Sequence, residues 1–404
     1  MTDPRGRWFV SYKRENSDRV GTLASALHEH GIPTWLDTEN LKSEPTDDAT
    51  RAAIRHAETA GAILFATGLV ASSDAIRLVE APEILGRWRR DPSFGVVPVI
   101  SGGLNYEDAG QVYGDSIADH DLSLWNIYKA RDVKFSDLDA RAVSQRILEA
   151  RLSALHGYLP PNEPISIALY TRERPHATLG RSLSIDWSHC FDPRHCSALD
   201  WSDRLLPTLD NVAKAVRRQA SGRTVIAEGL LGIPAAFALG ACFSTTRGVR
   251  IYWRQGASDT ADQLWGLDAP AVAATIQVKS ESRTLGAKDL AVLVSVTGDV
   301  REDFARTVKA VPPLRCIVDV LLSPPSRRIT GAEAAMIARA TSDAVRDART
   351  TYGATGKVHL FFSGPVGLAM MLGQLFNTFP QIATYEYGSD QDPPYRPAAI
   401  IINP

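Results

Sequence analysis

The chain has 404 residues, enough for two or three domains at roughly 100–200 residues each. Its 44% hydrophobic and 22% charged composition is that of an ordinary folded protein, and a net charge of −2 argues against a surface that coats DNA or RNA. Four cysteines make no disulfide framework and point to a reducing cytoplasm. The opening MTDPRGRWFV has no apolar run of the kind a secretory signal uses.

In chain order, RWFVSY (7–12) reads as a strand, and SDRVGTLASALHEH (17–30) as a helix with Val20, Leu23 and Leu27 on one face. GIPTWLD is a second strand, DDATRAAIRHAETA a second helix and GAILFATG a third strand. RLVEAPEILGRW (77–88) falls in the next helical region, and GVVPVI (95–100) is a fourth strand. Strands alternating with helices imply a parallel sheet covered on both faces. A long helix over 137–156 then runs into GYLPPNEP (157–164), a Gly/Pro-rich linker and the best domain boundary.

The remainder, 165–404, also alternates, and it contains a repeat. VIAEGLLGIPAAFALG (225–240) and VHLFFSGPVGLAMMLG (358–373) align without a gap at an offset of 133. Both carry Ala-x-x-Leu-Gly, then a phenylalanine (Phe243, Phe376), then a tyrosine nine residues further on (Tyr252, Tyr385). The pattern suits two Rossmann-like halves facing each other, with a ligand at the strand ends between them. Two βαβ units with similar packing needs would also produce it. The uncharged stretch 360–385 is long enough to span a bilayer, but its Ser, Gly, Pro, Gln and Asn residues divide it into strand, turn, helix and strand.

Several segments could carry chemistry. Ser11, Tyr12, Lys13 and Arg14 follow the first strand, at the edge of a parallel sheet where ligands bind. The polar loop WLDTENLKSEPTDD (35–48), with Trp35 and Asp37, follows the second. In the repeat, EGLLG (228–232, with Glu228 and Gly229) and FSGP (Phe362, Ser363, Gly364) are turns between a buried strand and a helix. Such turns expose backbone N–H groups to anions, phosphate above all. Neither is G-x-G-x-x-G or a P-loop, so ordinary dinucleotide or NTP binding has no motif support. DWSHCFDPRHC (186–196) holds His189-Cys190 and His195-Cys196. Their spacing is poor for a metal, and Trp187 and Arg194 read instead as stacking and polar contacts in a loop over the ligand, or as a plain surface loop.

Taken in order, FVSYKREN, GIPTWLDTENL, IRHAETAGAILFATG, the Glu-bearing helix and VVPVI resemble a TIR domain over 1–156, which implies a flavodoxin-like parallel sheet. The repeat, ATYEYG and SIDWSHCFDPR are similar to a SAVED domain over 165–404, two fused CARF-like halves. The combination resembles the TIR-SAVED effectors of bacterial anti-phage signalling. The resemblance implies an NAD glycohydrolase that cleaves the nicotinamide–ribose bond, with NAD as substrate and no cofactor or metal. Ser11, Tyr12, Lys13, Arg14, Trp35 and Asp37 would meet NAD. Glu228, Gly229, Arg254, Phe362, Ser363, Gly364, Trp187 and Arg194 would meet a cyclic oligonucleotide, with cyclic tri-adenylate as the expected activator. Ligand-induced assembly into an oligomer or filament is implied too, with no membrane and no nucleic-acid polymer as partner. The chain departs from the family in its loop KSEPTDD, which lacks a glycine, and in SSDAIRLVE, which lacks the serine-tryptophan approach to the catalytic glutamate.

Such a reaction needs one ionised carboxylate against an oxocarbenium-like ribose. Two are candidates. A helix that starts, or restarts, at Pro82 would put Glu83 in its first turn, where the dipole keeps it ionised; Glu83-Ile84 also matches the family's Glu-aliphatic pair, so Glu83 is the expected catalytic residue. Glu80 fits better if the helix runs unbroken from Ser73. A TIR scaffold that signals by assembly without turnover is the alternative to an enzyme.

Overall fold

The computed structural model describes residues 2–36, 46–114, 126–173, 180–192, 194–220, 222–256, 264–272, 275–324 and 328–402. Contacts divide the chain into two units, Met1–Ala168 with Pro175–Asp186 and Arg218–Ala220, and Leu169–Arg174 with Trp187–Arg217 and Ser221–Pro404.

In the first unit, β1 (Arg7–Ser11), β2 (Thr34–Trp35), β3 (Thr59–Ala66), β4 (Gly95–Ile100) and β5 (Tyr128–Lys129) form a sheet in the order β2-β1-β3-β4-β5. All four pairings are parallel. This is the flavodoxin-like order, and it places the topological switch point between β1 and β3. The central strand TAGAILFA is buried along its whole length, as a strand covered on both faces must be. Around it stand α1 (Ser17–Glu29), α2 (Thr46–Arg55), α3 (Ala81–Arg90) and α4 (Asp137–Tyr158).

Ser136 caps α4, and Asp139 returns the bond to the Ser136 N–H. The helix carries on through Gly157 and Tyr158, two residues into the segment expected as linker, and breaks before Pro160 and Pro161. A Cβ on exposed Gly157 would meet nothing within 4 Å. Gly157→Ala should therefore stabilise the protein by about 0.5–1 kcal/mol, read from chemical denaturation.

The second unit holds the two repeats. The first is β8 (Val225–Leu230), α6 (Ile233–Cys242) and β9 (Ile251–Arg254); earlier in the chain come β6 (Ile165–Tyr170), which begins in the first unit, β7 (Leu183–Asp186), which belongs to it, and α5 (Leu206–Gln219). Next come β10 (Leu264–Trp265), β11 (Ile276–Ser282), β12 (Asp289–Ser295), α7 (Arg301–Thr307), β13 (Leu314–Leu322) and α8 (Gly331–Tyr352). The second repeat is β14 (Val358–Ser363), α9 (Val366–Leu375) and β15 (Gln381–Tyr387), closed by β16 (Tyr395–Ile402). Moving β8 and α6 forward by 133 residues gives the bounds of β14 and α9. In each half the next strand is parallel (β9, β15) and the one after it antiparallel (β10, β16). The second half is a six-stranded sheet in the order β11-β13-β12-β14-β15-β16.

The two repeat helices carry no charge and are buried nearly all round, which a helix can be only when it is apolar on every side. They pack on each other through glycine. A Cβ on Gly240 would stand 1.9 Å from the Met370 carbonyl oxygen, and one on Gly373 would stand 2.1 Å from that of Phe237. These four positions interchange under the 133-residue shift. The contact is therefore self-complementary, like a two-fold dimer interface within one chain.

At the other end of β14, His359 is 3% exposed, with Nδ1 2.7 Å from the Tyr385 hydroxyl and Nε2 3.2 Å from Asp289 Oδ2. Burial lowers its pKa below the ordinary value, against the pull of Asp289. Folding thus favours the neutral ring. The stability it contributes is complete above the unfolded pKa of about 6.5 and is lost as pH falls through the lower folded value. The fall in thermal midpoint on acidification from pH 6.5 should be smaller in His359→Gln than in the wild type.

Candidate functional site

In the first unit the strand ends collect the groups expected there. Ser11 closes β1 and Tyr12 follows it, both buried. Lys13 and Arg14 come next, and Lys13 Nζ stands 4.0 Å from Glu15. Asn16 Nδ2 donates to Thr67 Oγ1 (3.0 Å), tying the β1 loop to the residue after β3, and Arg19 Nη1 donates to Asn16 Oδ1 (3.4 Å). Gly102 and Gly103, after β4, have φ of 74° and 83°, and a Cβ on Gly102 would lie within van der Waals contact of Arg19 and Thr67. The buried hydroxyls of Ser11 and Ser101 have no hydrogen-bond partner among the described residues. This cluster lies at the switch point, where doubly wound sheets bind ligands.

Trp35, the last residue of β2, is half-buried; its ring stacks on Phe9 at 4.9 Å and 18° and packs against the core. Asp37 lies outside the described residues. Pro82 stands in the first turn of α3 with Glu83 beside it, as a helix restarting there would place them, but it does not begin the helical run. The chain is already helical from Ala75, in a π-turn over Ala75–Glu80 that runs straight into α3. Proline has no N–H for the i−4 carbonyl and crowds it, and the wider turn accommodates both defects.

The two glutamates part accordingly. Glu83, 9% exposed, takes a two-pronged bond from Arg55 Nε and Nη2 (2.7 Å each), with Arg90 at 3.7 Å. Its carboxyl is held below the usual range, chiefly by that bond to Arg55. Arg55 is the last residue of α2, which leads into β3. Glu80 is half-buried, and its charge reaches Tyr113, in the segment after β4 at the carboxyl ends of the strands. Arg77, one turn earlier, donates to the Tyr113 carbonyl (3.4 Å).

In the second unit the two repeat turns are built alike. The Thr171 N–H donates to the Leu230 carbonyl (3.0 Å), and the Val296 and Thr297 N–H groups donate to the Ser363 carbonyl (2.8 and 3.1 Å). Leu230 and Ser363 are repeat equivalents. The turns differ in side chains. Before α9, Ser363 Oγ lies 3.1 Å from Thr297 Oγ1, while Gly364 is packed beneath the Phe362 ring, which is 6% exposed. Before α6, the Gly232 N–H is already given to Thr171 Oγ1 (2.9 Å) and Pro234 has none. A Cβ on Gly232 would stand 2.6 Å from Glu386 Oε1. This turn faces a carboxylate and is no phosphate cradle.

The other expected contacts also resolve. Glu228 and Gly229 belong to β8, not to the turn. Glu228 pairs with Arg254 at 3.6 Å on the neighbouring strand. Gly229, at φ 143°, lets the Leu169 carbonyl approach to where a Cβ would be. Trp187 is fully buried against Trp201 (6.1 Å, 88°), so it stacks in the core and not on a ligand. Arg194 is exposed and lowers the pKa of Glu386. Beside it, the Cys196 thiol is pushed up to about 12 by burial, and His189 Nε2 has Arg204 Nη2 at 3.0 Å. A cavity of about 920 Å³ lies elsewhere, with an apolar floor (Leu293, Phe304, Ile317) and a charged rim (Lys279, Arg301, Asp319). None of its lining residues belongs to either repeat turn.

Glu386, Thr171 and Thr297 were missed from sequence. Glu386 had one signal: it directly follows the repeated tyrosine, Tyr385, as the sole acid in ATYEYG.

No curated protein matches the chain. Among solved structures it is similar to the Acinetobacter baumannii Cap4 SAVED/CARF-domain containing receptor with the cyclic trinucleotide 2'3'3'-cAAA, at 16% identity over 89% of this chain and 86% of that one, TM-score 0.50. With 3'3'3'-cAAA the same receptor gives 15% identity over 90% and 86%, TM-score 0.51. These likenesses bear on the fold alone, a mixed α/β SAVED/CARF-like one. The family described as "SMODS-associated and fused to various effectors sensor domain", SAVED, matches residues 208–401, beginning within α5. The repeat and its self-complementary helix contact lie inside the span that matches SAVED.

Proposed function

We propose that the second unit binds a cyclic trinucleotide of adenine and that the first unit cleaves NAD in response. The observation that carries the sensor reading is the paired turn before α6 and α9, built on equivalent residues within the SAVED match. A roughly two-fold site suits a small cyclic ligand, and cyclic tri-adenylates are the ligands of the similar receptors. The hydroxyls of Ser363 and Thr297 supply donors for a phosphate, and Arg194 supplies charge.

Support for the enzyme reading is the TIR-like order of motifs together with the β2-β1-β3-β4-β5 sheet and its strand-end cluster. In the reaction the nicotinamide–ribose bond breaks, nicotinamide leaves with the electron pair, and water adds to C1 of the ribose with loss of a proton. The leaving group is already cationic, so no general acid is needed. One carboxylate stabilises the cationic ribose, and we assign that role to Glu80, whose charge reaches Tyr113 in the segment after β4. The ligand acts by assembling protomers into an oligomer or filament. The experiment is nicotinamide release from NAD with cyclic tri-adenylate. If cells respond to the ligand while purified protein never turns NAD over, the non-enzymatic scaffold reading takes its place.

A further inference from the structure

Glu386 is a half-buried titratable group of the second unit that the fold does not use. It lies near the end of β15, and among the described residues it makes no hydrogen bond and no ion pair. Its Oε1 lies 2.6 Å from where a Cβ on Gly232, the N-cap of α6, would be, which puts the carboxyl beside that turn.

The charged groups around it are few. Arg172, after β6, and Arg194 act on it from two loops. Arg396 is its partner across the β15–β16 ladder and is exposed. The Cys196 thiol feels its charge. Helix α6 brings no acid or base in its first turn, and the neighbours Tyr385 and Tyr387 point to the other face of β15. Burial outweighs both arginines and pushes the Glu386 carboxyl up to about 7. It is therefore half-protonated at neutral pH.

A half-buried carboxylate repels phosphate. A carboxylic acid has one donor and one acceptor side by side. That is the complement of adenine's Watson–Crick edge, where N1 accepts and the N6 amino group donates. We propose that Glu386 is the base-reading group of the sensor, its protonated carboxyl donating to N1 of one adenine and accepting from N6. The inference rests on the cyclic tri-adenylate reading above and names the residue that selects the base. The two turns then divide the work, the α9 turn with its hydroxyls taking phosphate and the α6 turn taking a base.

The test is calorimetric titration of the full chain with 3'3'3'-cyclic tri-adenylate at pH 6 and pH 8. Pairing through the protonated form couples binding to uptake of one proton. With a midpoint near 7, wild-type affinity should fall about tenfold from pH 6 to pH 8. Glu386→Gln offers the same donor and acceptor at every pH, so it should bind at least as tightly as the wild type at pH 6, with a flat profile. Glu386→Leu removes the repulsion without the pairing, and should bind at least about tenfold more weakly than Glu386→Gln. A flat wild-type profile, or Leu binding as tightly as Gln, overturns the base-reading role. Absence of binding by wild type and both variants overturns the sensor reading itself, and Lys279→Glu, in the separate cavity, should leave binding unchanged.

Discussion

Replacing Glu80 by Gln should lower nicotinamide release about 10²–10³-fold with KM for NAD little changed, the loss expected when one preorganised electrostatic partner of a transition state is removed. Replacing Glu83 by Gln should leave turnover within a few-fold at temperatures where the protein is folded, and should lower its thermal midpoint. The reason is where each charge is used. Glu83 is neutralised by a two-pronged Arg55 contact and a second arginine, Arg90. A carboxylate so engaged has little field left for a substrate cation, and it sits against the end of α2. Glu80 lies one π-turn earlier, with Tyr113 and the loops after the strands. Purified variants compared by NAD cleavage and thermal melting separate the two roles. Loss of turnover in Glu83→Gln with Glu80→Gln intact would restore the assignment first read from the proline.

The second large effect is on stability. Gly240→Ala and Gly373→Ala should each destabilise the protein by about 3 kcal/mol, read as a drop of roughly 6–12 °C in thermal midpoint. Each new methyl would stand within about 2 Å of a carbonyl oxygen on the facing helix, at 1.9 and 2.1 Å. Relief requires the two helices to move apart, which loosens Phe237 from Phe376 as well. The double variant should cost less than the sum, because one separation relieves both collisions. Additive losses would mean that the two glycines belong to independent contacts.

The repeat was legible because it is written in side chains. An apolar strand, a turn, an uncharged helix with Gly at its seam and a tyrosine recur at one spacing, and the structure preserves that spacing to the residue. The parallel sheet of the first unit was legible for the same reason, since period and punctuation mark each strand. The sites were less so. Trp35 and Trp187 are the amphipathic kind of residue that stacks on ligands or fills cores, and nothing local decides between the two. Pro82 pointed to a helix start because the π-turn that absorbs it has no sequence signature of its own. Glu386 acquires its chemistry from Gly232, 154 positions away in the chain, and from burial, neither of which composition or periodicity carries.

The most direct test of the whole reading is release of nicotinamide from NAD by the purified full chain, with and without 3'3'3'-cyclic tri-adenylate. Turnover that appears only with the cyclic nucleotide, and is lost in Glu80→Gln, is the expected result. Tight binding of the nucleotide with no nicotinamide released at any protein concentration would contradict it and leave the first unit as a scaffold.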